Sequence, residues 1–206
     1  MKKYMSLFLA LGISLSIVAQ DVNGPIDEYG TTLLMQACEN QDFVRVKELL
    51  GQGADVDQQD KDGFTALFYA CGLHAYDNSS FVINHNILNS LLEHGANVNS
   101  YDNVMGWTPI FLLEEPNVDI AQLLIDFGAS LNIVSESGVL LYETIIRDFD
   151  QEYIDFLVKN GANIQVAIQF AQRELQVVDE WNKDHLHRAI ASLKKLAVLY
   201  KASASH

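Results

Sequence analysis

Leucine-rich runs recur along the chain, and each run leads to Gly-Ala and then to a short segment that carries Asp or Asn. Four Gly-Ala pairs follow this pattern, and they begin at Gly53, Gly95, Gly128 and Gly161. A second glycine series keeps phase with the first, at Gly30, Gly63, Gly106 and Gly138. A repeat period of about 33 residues, which most of these intervals match, is typical of a stacked solenoid.

The second unit indicates what one repeat contains. A polar turn at residues 60–63 precedes a first helix that starts at 64–70, and a second helix covers 87–94 before its Gly-Ala pair. Glycine closes a helix without strain in the left-handed conformation, which a Cβ atom disfavours. In the third unit, Thr108 before Pro109 predicts a helix N-cap followed by a first-turn proline.

This pattern resembles the ankyrin repeat, which opens with Asp-x-x-Gly-x-Thr-Pro-Leu-His and ends its second helix with Leu-Leu-x-x-Gly-Ala. The match covers residues 27–165, and its best copy combines Gly-Trp-Thr-Pro-Ile at 106–110 with Leu-Leu-Ile-Asp-Phe-Gly-Ala at 123–129. The resemblance implies an all-α ankyrin-repeat solenoid of four helix-turn-helix units with short turn loops. Within a repeat domain at 20–165, the units are expected at about 27–59, 60–101, 102–134 and 135–165.

The copies depart from the family pattern at the start of the first helix. The family's proline remains only at Pro109, and its histidine is replaced by Met35, Phe68, Phe111 and Glu143. In the family this histidine ties neighbouring turns together, so these turns are expected to be less rigid than those of consensus repeats. Phe68 and Phe111, with Tyr69 beside them, are expected to substitute apolar packing for the histidine contacts.

The second unit is longer than its neighbours. The interval from Gly63 to Gly95 exceeds the interval from Gly30 to Gly53, so this unit contains an insertion. The insertion falls near positions 72–84, after the first helix. Insertions in repeat proteins form loops that often lie on the binding side, and a plain surface loop is the alternative.

The pattern changes at residue 166, after which neither the turn motif nor Gly-Ala recurs. Apolar residues at helical spacing, from Ile168 to Val178 and from Leu186 to Tyr200, predict two helices with a break near 179–183. We expect residues 166–206 to cap the solenoid, because an end repeat has to cover the last apolar face.

The segment 1–19 has the features of a signal peptide. Lys2 and Lys3 precede an apolar run at 5–18, and Ala19 follows it. The run is too short to span a membrane comfortably, and no cysteine follows it that could carry a lipoprotein anchor. Cleavage near Ala19 is expected, with a periplasmic or secreted protein as the product and no stable membrane anchor. An uncleaved anchor remains the alternative.

The charge balance narrows the choice of partners. The chain has 13 basic and 27 acidic residues, and without Lys2 and Lys3 the mature form has 11 and 27, hence a net charge of −16. Nucleic acid is excluded as an expected partner, because its phosphates require a basic surface. A protein with a basic surface fits through electrostatic steering. The alternative is that acidic residues only keep the protein soluble.

Cys38 and Cys71 are one repeat period apart and occupy the same position in adjacent units, each directly after an alanine. Packed helices lie about 10 Å apart. A disulfide requires Cα atoms within about 7 Å of each other. We therefore expect two free thiols that serve as small core residues.

The sequence contains no motif for catalysis, for a cofactor or for a metal. His185 and His187 are two positions apart on a predicted helix, whereas a metal-binding pair requires a spacing of three or four. No Cys-x-x-Cys, phosphate-binding glycine loop or Gly-x-Ser-x-Gly occurs. Asp60 and Asp62 flank the turn at Gly63 without a calcium-loop pattern, which favours a turn-capping pair.

The resemblance also implies a recognition surface, since ankyrin-like stacks bind through the turns and the start of the first helix. Carried over position by position, the expected partner-binding residues are Tyr29, Lys61, Asp62, Phe64, Met105, Trp107 and Glu136. Tyrosine and tryptophan are frequent hot spots of binding interfaces. The alternative is that the apolar members of this set cover neighbouring turns as internal packing.

These observations together predict a monomeric, non-catalytic protein-binding module that acts outside the cytoplasm. The exported bacterial ankyrin-repeat proteins that this chain resembles are of two kinds. One is the immunity partner of a periplasmic toxin, and the other is the companion of a periplasmic enzyme. A secreted host-directed effector and an enzyme are the remaining alternatives.

Overall fold

The structure is a computed structural model that describes residues 21–73, 83–113, 117–135, 138–146, 151–178 and 180–203. Over these residues the fold is all-α, as the sequence predicts, and no strand occurs among them. None of the described helices combines the length and apolar character that crossing a membrane requires. Most of the predicted insertion, at residues 74–82, lies outside the described residues.

The helices follow one another along the repeats. In chain order they are α1 Leu33–Glu39, α2 Phe43–Gly51, α3 Ala66–Ala70, α4 His85–Glu93, a 3₁₀ helix Pro109–Leu112, α5 Val118–Asp126, α6 Leu140–Ile146, α7 Gln151–Lys159, α8 Ile164–Val177 and α9 Glu180–Ser203. The first helices stack on each other, α1 on α3 and α3 on the 3₁₀ helix, while α2 packs on α4. The leucine positions of the repeats, such as Leu49, Leu91 and Leu124, are fully buried between them.

The second helix of each of the first three units begins at a polar N-cap. The side chains of Asp42, Asn84 and Asn117 accept hydrogen bonds from the first free backbone N–H groups of α2, α4 and α5. These bonds satisfy donors that have no partner inside the helix. At the other end, Gly53 and Gly95 have φ angles of +86° and +89°, which confirms the predicted left-handed closure.

The first helix of the third unit begins as predicted, with Thr108 at the N-cap and Pro109 in the first turn, but the cap is made differently. Thr108 occupies the N-cap position, but its hydroxyl caps no backbone group, and a 3₁₀ helix follows. The reason lies in the donor that a capping side chain would use. The Phe111 N–H already donates to the Thr108 carbonyl oxygen over 2.9 Å, as an i→i+3 turn requires.

A ladder of polar side chains joins the repeats where the second helix ends. Four side chains, one from each successive repeat segment, accept a hydrogen bond of 2.7–2.8 Å from the backbone of the next segment: Asn23 from Asp55, Asp57 from Asn97, Asn99 from Ser130, and Asn132 from Asn163. The Asp- or Asn-containing segments after Gly-Ala therefore hold the stack together. Repeat-type contacts begin at Asn23, near the start of the described chain.

The two C-terminal helices pack on each other and on α6. Tyr142 of α6 and Phe170 of α8 have ring centroids 5.1 Å apart. Leu193 of α9 is completely buried. The break between the helices is shorter than the sequence pattern predicts, because α8 ends at Val177 and α9 begins at Glu180.

Both cysteines are free and buried, as predicted. Burial raises the pKa of Cys38, to which the nearby Cys71 adds, and burial raises the pKa of Cys71 to about 12. The reactive thiolate is therefore scarce at neutral pH. These thiols are core residues and are not poised for redox chemistry.

Thiol titration should find two reactive groups per chain in denatured, non-reduced protein. The folded protein should react with the same reagent far more slowly, because both thiols are buried and protonated. The titration is carried out with and without guanidinium chloride. A monomer with no titratable thiol in denaturant would show that the two cysteines are bridged and that the repeats stack differently.

Candidate protein-binding face

An aspartate organises each of the first three turns. Asp60 Oδ1 accepts hydrogen bonds from the backbone N–H groups of Asp62 and Phe64, both 2.9 Å long. Asp27 does the same for Tyr29 and Thr31. These bonds confirm Asp60 as a turn-capping residue.

The carboxylate of Asp102 binds three N–H groups in the third turn. Val104 and Met105 donate to Oδ1 over 2.8 and 2.6 Å, and Trp107 donates to Oδ2 over 2.7 Å. Asp102 is itself buried. Its contacts fix the backbone from which Met105 and Trp107 project.

Asp62 differs from the predicted turn-capping pair. Its side chain is exposed and caps no backbone group among the described residues, because Asp60 already binds the free N–H groups of the turn. The Asp62 backbone carbonyl instead accepts a hydrogen bond from Asn103 over 2.7 Å. The Asp62 carboxylate is therefore available to a partner.

Backbone hydrogen bonds connect the turns in a row. Lys61 N–H donates to the Tyr29 carbonyl oxygen over 2.9 Å, which links the first turn to the second. The Asn103 bond to Asp62 links the second turn to the third. The turn tips are thus held in register although the family's histidine is absent.

The predicted binding residues fall into two groups on this row. Tyr29 and Met105 are 63% and 39% exposed, and Lys61 and Asp62 are exposed as well. Phe64 and Trp107 are half-buried and pack against the core. Glu136 lies outside the described residues.

The two half-buried rings rest on the residues that replace the family's histidine. The ring centroids of Phe64 and Phe68 are 5.3 Å apart in an edge-to-face arrangement. Trp107 stacks on Phe111 with a centroid distance of 6.3 Å. Phe64 and Trp107 therefore pack internally, as the alternative interpretation expects, and the role of the row in binding stays a prediction.

Tyr69 corrects the expectation of purely apolar packing at the histidine positions. Phe68 and Phe111 are buried and apolar, but the Tyr69 hydroxyl donates to Asp60 Oδ2 over 2.7 Å. Burial, followed by the hydrogen bond and the negative charge of Asp60, raises the pKa of Tyr69 well above its usual value. A polar bond therefore joins the first helix to its own turn in the second unit.

Sequence reasoning missed two exposed apolar residues on the same side. Tyr101 is 64% and Val134 is 53% exposed, and each directly precedes the first residue of its turn. The equivalent positions in the first two units hold Ile26 and Gln59. The repeat register would have identified the position, but not that these side chains point outward.

The charges on the turn row are predominantly acidic. Glu28 and Asp62 are exposed, and neither forms an ion pair with a described residue. The hydrogen bond from the Thr31 side chain, helped by backbone N–H groups, lowers the pKa of Asp27. The row therefore combines exposed apolar side chains with uncompensated carboxylates. No cluster of three or more metal-ligating side chains occurs in the described part of the chain.

Comparison with known proteins agrees with the stacked helical repeats described above. A family model for ankyrin repeats in three copies matches residues 7–102 and 34–135. The probable 26S proteasome regulatory subunit p28 of Saccharomyces cerevisiae is 28% identical over 172 residues, which cover 81% of this chain and 68% of that protein. A putative ankyrin repeat protein of Rickettsia bellii is 32% identical over 133 residues, covering 50% of this chain and 38% of that protein.

An enzyme also contains a similar segment. The glycerophosphocholine phosphodiesterase of Eremothecium gossypii is 36% identical over 92 residues, but they are only 6% of that protein and 44% of this chain. The likeness thus lies in one small part of a much larger protein. The family match covers more than half of the chain, and its repeats are in general non-catalytic binding scaffolds. The chain belongs to the ankyrin-repeat family and is a protein–protein interaction module.

Proposed function

We propose that this protein acts outside the cytoplasm and binds a partner protein with a basic surface through the row of turns that carries Tyr29 and Met105. The observation that carries the proposal is the combination of exposed apolar side chains with unpaired carboxylates on turns held in register. The same module has no role in catalysis under this proposal.

The exposed apolar side chains and the acidic charge of the turn row favour a protein as the ligand. Tyr29 and Met105 offer exposed apolar contact area on turns that backbone hydrogen bonds join. Glu28 and Asp62 lie beside them, in a chain whose net charge is −14. Complementary charge accelerates association and selects among partners. The exposed Lys61 is the one cation among the seven residues expected to bind.

The hydrogen bonds of the row support tight binding without rearrangement. The turns are linked through Lys61 and Asn103, and each is closed by its own aspartate. A loop that is already ordered loses less conformational entropy when it binds. We therefore expect the partner to dock on the turns as they stand.

Removing Tyr29 and Met105 together should weaken partner binding at least about tenfold, because exposed aromatic and thioether side chains are typical anchors of an interface. The variant Tyr29→Ala/Met105→Ala should keep its melting temperature, since both side chains are largely outside the core. The measurement is calorimetric titration with the partner that co-purifies stoichiometrically with the wild type.

Two apolar residues away from the turns, each more exposed than Tyr29 and Met105, provide a control. Val44 on α2 and Val177 on α8 are 69% and 74% exposed. The variant Val44→Ala/Val177→Ala should bind like the wild type. Equal weakening by both double variants would contradict a specific role of the turn row.

Export is the second part of the proposal, and its support is the predicted signal peptide at 1–19. Native protein should begin at or near Gln20, which leaves Asn23 and its bond to Asp55 intact. N-terminal sequencing of protein purified from the extracytoplasmic fraction tests this. The family match begins at residue 7, inside the predicted signal peptide. A native chain that begins at Met1 would contradict cleavage and favour residues 7–19 as part of the repeat domain.

A further inference from the structure

A groove of about 690 Å³ lies between α7 and the last turns of α9. Its apolar lining comes from three helices, with Ile145 on α6, Ile154 on α7, and Leu196 and Leu199 on α9. Because α9 packs chiefly against α6 and α8, it leaves this flank of α7 uncovered. Leu199 remains 56% exposed as a result. The groove shares no residue with the turn row.

The charge of the groove is opposite to that of the chain. Its charged residues are Lys159, Lys195 and Asp155, which sum to +1, whereas the chain carries −14. Neither lysine forms an ion pair with a described residue. A positive, partly apolar groove on an acidic protein is a distinctive place for a ligand with a carboxylate.

The one acidic residue of the groove is engaged by its own neighbours. Gln151 donates to Asp155 Oδ1 over 2.7 Å, and the Tyr200 hydroxyl also donates to this carboxylate. These two bonds lower the pKa of Asp155, and the positive charge of Lys159 adds to the effect. Its oxygens are thus occupied by hydrogen bonds within the protein, and neither lysine ammonium group lies within ion-pair distance of it, so both can pair with a ligand.

The apolar surface extends beyond the groove. A second depression of about 470 Å³ shares Asp155 and Lys159 with it and is lined further by Val118, Phe156 and the acidic Glu152. A compact small molecule would fill one depression, whereas an elongated chain can follow both. Recognition of an extended or helical segment in a groove between helices uses such a line of apolar contacts.

We propose that this groove binds an apolar segment of a second polypeptide that carries a carboxylate side chain, with Lys159 and Lys195 pairing with that carboxylate. The protein would then have two binding surfaces of different chemistry. The turn row would bind a basic surface, and the groove at the C-terminal cap would bind an acidic, apolar segment. The groove and its test are independent of the partner proposed for the turns.

The experiment uses a displayed library of random peptides, long enough to follow both depressions, selected on the full chain and counter-selected on Leu199→Asp. Enriched peptides should combine apolar residues with at least one Asp or Glu. Lys159→Glu and Lys195→Glu should each weaken a selected peptide at least about tenfold, as for close charge pairs at interfaces. Changing the peptide's acidic residue to Lys should restore binding to Lys195→Glu.

Matched variants keep the test specific. Lys194 is exposed on the same helix but does not line the groove, and Val177 is exposed on α8, so Lys194→Glu and Val177→Asp should bind peptide like the wild type. Leu199 and the lysines are exposed, so their variants should keep the melting temperature. The charge-swap rescue is a readout that general destabilisation would not produce.

Four results would overturn the proposal. The first is that the selected peptides lack acidic residues, and the second is that they bind Leu199→Asp and Lys195→Glu as tightly as the wild type. The third is that no peptide is enriched over the counter-selection. The fourth is that dodecanoate displaces the peptides at submillimolar concentration. Self-association of the wild type in sedimentation equilibrium, lost in Leu199→Asp, would overturn it too and would assign the groove to a second copy of the chain.

Discussion

A chain truncated after Gln165 should lose several kcal/mol of its free energy of unfolding. The truncation removes α9 and nearly all of α8, which cover α6. Phe170 would no longer pack on Tyr142, and the buried face of α6 would meet water. Each large apolar side chain taken from a core contributes about 1.5–3 kcal/mol. An uncapped repeat end is also prone to aggregation.

Urea denaturation of the full and the truncated chain, followed by circular dichroism, measures this loss. A matched pair of substitutions tests the same contact without deleting residues. Leu193 is fully buried, whereas Lys194 next to it is exposed. Leu193→Ala should cost about 2–5 kcal/mol, and Lys194→Ala should cost less than about 0.5 kcal/mol. An unchanged midpoint in the truncated chain would mean that α8 and α9 do not stabilise the repeats.

The recurring glycines allowed the repeat fold to be predicted from the sequence. A positive φ is strained for other residues, so a glycine that recurs in phase marks a fixed backbone position. Gly63 illustrates this with a φ of +87°, where a Cβ atom would also approach the Asn103 backbone nitrogen at 2.8 Å. Local backbone geometry of this kind follows from one residue, and for that reason the turn positions could be predicted.

Which of two possible hydrogen bonds a group forms could not be predicted from the sequence in the same way. At Thr108 the sequence favours a side-chain cap, but the cap and the 3₁₀ turn both need the Phe111 N–H, and the turn has it. At Tyr69 the sequence favours apolar packing, yet Asp60 lies within reach of the hydroxyl. Both outcomes depend on distances between groups that the repeat pattern does not specify.

The candidate site shows the same division between position and orientation. The repeat register identified which residues lie at the turns, and Tyr29 and Met105 are exposed there. The register does not determine how far a ring leans onto its neighbour, and Trp107 stacks on Phe111. Side-chain exposure follows from packing against the adjacent units, whose residues at equivalent positions differ in size.

Trp107→Ala should weaken partner binding by about 2 kcal/mol or more, because the indole ring gives the largest apolar area on the third turn and tryptophan is a typical hot spot. The same substitution should also lower the free energy of unfolding by about 1–3 kcal/mol. The ring is half-buried, packs against the core and stacks on Phe111. The expected loss of stability corresponds to the alternative that the apolar turn residues act as internal packing.

Trp107→Phe separates the two effects. A phenylalanine can retain most of the stack on Phe111, so this variant should recover at least half of the stability lost in Trp107→Ala, while still offering less contact area to a partner. Calorimetric titration gives the affinity and urea denaturation gives the stability of each variant. A variant that keeps about 3 kcal/mol of stability is more than about 99% folded, so unfolding cannot explain a tenfold loss of affinity.

If Trp107→Phe is stable but binds weakly, Trp107 contacts the partner directly. If it binds like the wild type, and Trp107→Ala loses affinity only as far as it unfolds, then Trp107 is a packing residue and the binding surface is limited to Tyr29, Met105 and their acidic neighbours.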